Sequence, residues 1–181
     1  MPNTAPASAV FTVEALRKAA ALAADTYRPL WTGLSGEESS GEAVARHLDA
    51  TIILLDTDGW LRIHDNGKGW STVAGPDDDS MTVEDMLRAL LRVVRDEIGT
   101  DPRRTLSTAL RHVAESSDGD PDTDHIAHAV LDLIIQAHTG VNSARAVPWA
   151  ERLTRTHADI TALLTAGARF ARAYGPGPAT S

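Results

Sequence analysis

The chain has 181 residues, enough for one domain to bury a core without help from disulfides or metals. It contains no cysteine, which excludes disulfide frameworks, thiolate metal sites and cysteine nucleophiles and makes a cytoplasmic location the expectation. A net charge of −8 argues against a general nucleic-acid binder, and no apolar run is long enough to cross a bilayer, so neither membrane spanning nor secretion is expected.

Residues 1–10 are expected to form a flexible N-terminus, and 11–174 a single helical domain. Phe11-Thr12-Val13-Glu14 opens the first helix, over 12–27, with Thr12 as N-cap, Phe11 and Leu16 as a hydrophobic staple and Glu14 at the positive end of the dipole. Its face is read as Val13, Leu16, Ala20 and Ala23. A polar connector over 33–41 leads to Val44, Leu48, Ile52 and Leu55, spaced for a helix that starts near Ser40. Residues 51–64 also fit a short β-hairpin around Asp56-Thr-Asp-Gly59; the helix is favoured because its register extends back to Val44. After a loop over 66–79, Met81-Thr82-Val83-Glu84 repeats the start signal. Val83, Leu87, Leu90, Leu91, Val94 and Ile98 then make a continuous helical stripe that Gly99 ends.

Asp101-Pro102 reads as the next helix start, with Leu106, Ala109, Leu110 and Val113 on one face. Ile126, Val130, Leu133, Ile134 and Ala137 repeat the pattern, with Asp122 or Asp124 as the cap and Gly140 as the stop. Thr156 with Asp159 predicts a capping box for a last helix that runs to Tyr174, before a disordered tail over 175–181. The predicted fold is therefore all-α, an irregular bundle of five or six amphipathic helices. Its core is expected from Leu87, Leu90, Leu91, Val94, Leu110, Val130, Leu133, Ile134, Leu163 and Leu164.

No segment carries a recognisable catalytic motif. The alternating aspartates Asp118-Gly-Asp120-Pro-Asp122-Thr-Asp124 suggest a calcium loop, but Thr123 stands where that loop needs Gly and Ala129 where it needs a bidentate Glu. His125, His128 and Asp132 share a helical face, as zinc or iron ligands would, yet H-E-x-x-H is missing and the spacing is unspecific. Asn66-Gly-Lys-Gly69 lacks the rest of a phosphate-binding loop. Catalytic, cofactor and metal residues are accordingly assigned to none.

What remains is a set of residues suited to contact. Four tryptophans, Trp31, Trp60, Trp70 and Trp149, fall near predicted helix ends or connectors, where they serve either as plugs on the core or as interface anchors. Residues 139–181 carry five Arg against two acids, so Arg152 and Arg155 join the tryptophans as candidate contacts. The expectation is a non-enzymatic interaction or accessory protein that binds a protein partner or a second copy of itself. A nucleic-acid-associated regulator using the basic C-terminal helix is the alternative, and a metal-dependent hydrolase the third reading.

Three segments, Leu48-Asp-Ala-Thr-Ile-Ile-Leu-Leu-Asp-Thr-Asp-Gly-Trp60, Thr105-Leu-Ser-Thr-Ala-Leu-Arg-His-Val-Ala114 and Trp149-Ala-Glu-Arg-Leu-Thr-Arg155 with the helix after Thr156, together resemble an actinobacterial helical domain family of unknown function over about residues 43–172. Thr105 stands where that family is expected to have Cys, and Thr108 where it is expected to have Gly. The resemblance implies a helical fold and transfers no catalytic residue.

Overall fold

The computed structural model describes residues 11–26, 29–63, 82–85, 87, 102–117 and 119–177. Six helices are bounded within them: α1 (Val13–Ala24), α2 (Gly41–Asp58), α3 (Leu106–Ala114), α4 (Pro121–Thr139), α5 (Ala146–Ala150) and α6 (His157–Tyr174). Residues 83–85 and 87 are helical as well. None of the helices is long and apolar enough to cross a membrane among the described residues.

Local chemistry sets most of the starts. Thr12 accepts from Ala15 N at 3.2 Å, Ser40 from Ala43 N at 3.2 Å and Thr82 from Asp85 N at 3.2 Å, each satisfying an N–H that the helix itself leaves free. Thr156 and Asp159 close the predicted capping box on α6, and Gly140 ends α4 in the left-handed conformation with φ 70°. Two predicted starts move. Asp120, not Asp122 or Asp124, caps α4, because Pro121 takes the first helical position and places the N–H groups of Asp122 and Thr123 over the Asp120 carboxylate. The helix expected at Asp101-Pro102 begins at Leu106, where Thr105 and Thr108 form a capping box.

The hairpin alternative over 51–64 gives way to helix through Asp58, and Gly59, at φ 88°, turns the chain out of α2. Trp60 then makes an isolated parallel bridge with Arg104. In α1 the buried face is Ala15, Leu16 and Ala19, while Val13 is exposed. Leu87, expected in the core, is 58% exposed. Leu90, Leu91 and Val94 lie outside the described residues.

One contiguous core joins all six helices, with Leu110, Val130, Leu133, Ile134, Leu163 and Leu164 in it as expected. At its centre α2, α4 and α6 approach where Gly167 faces Leu131 and Leu48; a Cβ there would lie 2.8 and 2.9 Å from their methyl groups. The start of α2 is tighter still: a Cβ on Gly41 would lie 2.2 Å from the Ala171 carbonyl oxygen.

Candidate functional site

The described candidate contact residues fall in two places. Trp31 stacks on Phe170 with ring centroids 6.2 Å apart and stands away from the others. Trp60, Trp149, Arg152 and Arg155 belong to the end of the bundle formed by the turn after α2 and the loop between α5 and α6. Trp70 lies outside the described residues. Trp149 is not a surface anchor: at 2% exposed it belongs to the core, because Phe11 packs against one side of its ring and Arg155 covers another.

Stacking builds this end. The Arg155 guanidinium lies 4.0 Å from the Trp149 ring centroid, and that of Arg62 lies 5.8 Å from the half-buried Trp60. Arg62 Nη2 donates to the Arg155 carbonyl oxygen at 3.2 Å, tying the two pairs together. Cation–π contacts of this kind contribute about 0.5–2 kcal/mol each, more as they lose water. Sequence reasoning missed Arg62; its signal is the Trp60-Leu-Arg62 spacing, which places a cation beside a ring as soon as Gly59 turns the chain. On the same two segments Leu153 is 86% and Ile63 63% exposed. His138, in ring contact with Phe11, titrates below the ordinary histidine range, first because it is partly buried and then because of the Arg155 charge.

A second feature lies inside the bundle. The His47 side chain is 4% exposed, and its Nε2 stands 3.5 Å from Asp124 Oδ1; His128 Nε2 stands 3.7 Å from the same oxygen. His47 and Asp124 face each other without a hydrogen bond between these atoms. Burial holds His128 below its usual pKa, against the pull of Asp124 and Asp132. His47 lines a cleft of about 790 Å³ with Ser39, Ser40, Arg46, Asp120 and Thr123. On the other side of α4, His125 and Asp132 line a cleft of about 620 Å³ with Arg145.

The His125–His128–Asp132 face, weighed and set aside as a metal site on sequence grounds, is not gathered around one point among the described residues. Asp132 accepts from Ala146 N at 2.7 Å and pairs with Arg145 at 3.4 Å, so it closes the start of α5. Burial raises its pKa. Asp122 turns to the backbone and hydroxyl of Ser35, whose hydrogen bonds lower its pKa. Among the described residues no three His, Asp or Glu side chains are placed to hold a metal ion. Asp118 lies outside them.

No curated protein and no solved structure matches the chain. A family of unknown function, DUF6197, matches residues 39–170, a span that holds the Trp60–Arg155 end and the His47–Asp124–His128 row but not α1 or Trp31. By the length of that match the chain belongs to this family, whose function is unknown.

Proposed function

We propose that the chain is a non-enzymatic interaction domain that docks a partner protein at the end of the bundle carrying Leu153. The observation that carries this is a leucine 86% exposed on a loop that is otherwise braced, by Arg155 on Trp149 and by Arg62 on the Arg155 carbonyl. An apolar side chain on a pre-set loop loses little freedom on binding, and covering one leucine stabilises a complex by about 2 kcal/mol. The basic C-terminal helix supports the nucleic-acid alternative less, because Arg172 is already held by Glu42 at 3.1 Å and Asp49 at 2.7 Å.

The test compares the tagged full chain with Leu153→Asp and with Ile53→Asp, a control at a 67% exposed apolar side chain on α2, in nuclease-treated extract of the source organism. A stoichiometric partner retained by the unchanged chain and by Ile53→Asp but released by Leu153→Asp is the expected outcome. Retention by Leu153→Asp, or no stoichiometric partner at all, sinks the reading. A second copy of the chain as the partner would appear as a dimer in sedimentation that Leu153→Asp dissociates.

A further inference from the structure

Buried polar atoms in a folded protein almost always meet a hydrogen-bond partner, and each exception calls for a physical reason. The seam between α2 and α4 holds two that face each other, Nε2 of His47 and Oδ1 of Asp124. His128 Nε2 approaches the same oxygen from one turn further along α4, so two imidazoles converge on one carboxylate oxygen, at 3.5 and 3.7 Å. Carboxylates that brace this fold are closed more tightly, Asp120 by the Thr123 hydroxyl at 2.6 Å and Asp132 by the Ala146 N–H at 2.7 Å. The row is one charge-assisted hydrogen bond short of closure, and a proton supplies it.

A first proton makes both nitrogens of one imidazole donors, so that its Nε2–H closes on Asp124 Oδ1. A second proton is opposed. It sets two cations against one carboxylate, in a place where the His47 side chain is 4% exposed and water screens them poorly. Nor do the surroundings relieve that charge. On His128 burial acts first and lowers the pKa, Asp124 and Asp132 raise it, and His47 and His125 lower it. Around His47 the charged groups that line its cleft are Arg46 of α2, Glu38 just before α2 and Asp120, which is already engaged in capping α4. The residues that the end of α3 and the segment after α6 add to that cleft, Val113, Ser116, Pro176 and Gly177, carry no charge.

The seam does not resist evenly. Inward of the row, Leu48 and Leu131 meet Gly167 in the core. Toward the helix starts the ties are polar, Ser39 Oγ with Thr123 Oγ1 at 3.1 Å and the Ser35 N–H and hydroxyl with Asp122, and water can replace them. The cleft of about 790 Å³ that His47 lines includes Ser39, Ser40 and Thr123 from those same starts. We infer that the His47–Asp124–His128 row is a proton-operated latch: one shared proton closes α2 on α4, and a second parts the two helix starts and widens the cleft. The latch lies inside the bundle and does not depend on the docking reading above.

The experiment is an NMR titration of the isotope-labelled full chain from neutral to mildly acidic pH, following the ring signals of His47 and His128 and the backbone amides of Ser39, Ser40 and Thr123. Both rings are expected to report the same two steps, separated by at least about one pH unit, and the amides to move with the step at lower pH. In His128→Gln the lower step is expected to vanish, leaving His47 a single step and the amides in place. Two independent single steps, neither affected by replacing the other ring, overturn the latch. So do amides that hold still through the lower step, and so does a general loss of amide dispersion at that step, which is unfolding rather than opening. Should His128→Gln fail to fold, the steps and amides of the unchanged chain decide alone.

Discussion

His128 shows how one buried side chain ties stability to pH. Its folded pKa lies below the ordinary value near 6.5, chiefly because burial penalises the charged ring. The unfolded chain therefore takes up this proton first, and stability present above pH 6.5 is lost as the pH falls from there toward the folded pKa. Replacing His128 with Gln is expected to flatten the loss between neutral and mildly acidic pH, read as urea midpoints along a pH series; an unchanged slope would show that the ring does not titrate in this way. Asp132 acts in a lower window and with the opposite sign. Its folded pKa is raised above 3.8, so protonation of the folded form comes first and this residue offsets part of the acid loss as the pH falls through that value. At the surface, Leu153→Asp alters a side chain with no packing to lose. Its unfolding free energy is expected to stay within about 0.5 kcal/mol of the unchanged chain in chemical denaturation, so that loss of partner binding reads as loss of contact.

At the level of elements, the two close helix approaches differ in what a methyl group would meet. A Cβ at Gly167 meets the ends of Leu131 and Leu48, which can shift, and alanine also gains up to about 1 kcal/mol of helix propensity over glycine. At Gly41 it meets the Ala171 carbonyl at 2.2 Å and Gly175 Cα at 2.8 Å, both of them backbone. Gly41→Ala is therefore expected to cost more than Gly167→Ala, by about 1–3 kcal/mol in chemical denaturation, and the reverse order would refute the geometry. Thr156→Ala removes both halves of its capping box and is expected to cost about 1 kcal/mol.

Caps were the most legible part of the sequence because they depend on three or four consecutive residues; Thr12, Ser40, Thr82 and Thr156 all cap where their neighbours predict. Errors arose where a distant partner decides. That Asp122 turns to Ser35, 87 positions away, could not be read locally, whereas the shift of the α4 cap to Asp120 follows from its neighbour Pro121, and the five-residue α5 is too short to show a period. The same limit hid the candidate site. Trp149 reads equally as a core plug or an interface anchor until Phe11, from the far end of the chain, is seen covering it. Arg62 acquires meaning only when Gly59 brings it beside Arg155. The His47–Asp124–His128 row needs α2 against α4, which no local pattern announces.

At the scale of the whole molecule, α2 and α6 form the most extensive helix pair among the described residues and are pinned along their length. Gly41 N–H donates to the Pro176 carbonyl at 2.9 Å, Arg172 bridges Glu42 and Asp49, and His157 stands 3.3 Å from Asp56 near the opposite end. Each of these links joins residues about a hundred or more positions apart, and such contacts raise contact order and slow folding. On a ribosome this has a direct effect on timing. The N–H at the start of α2 waits for its acceptor until residue 176 has left the exit tunnel, and the side of Leu48 that meets Gly167 stays uncovered and open to chaperones until α6 has emerged.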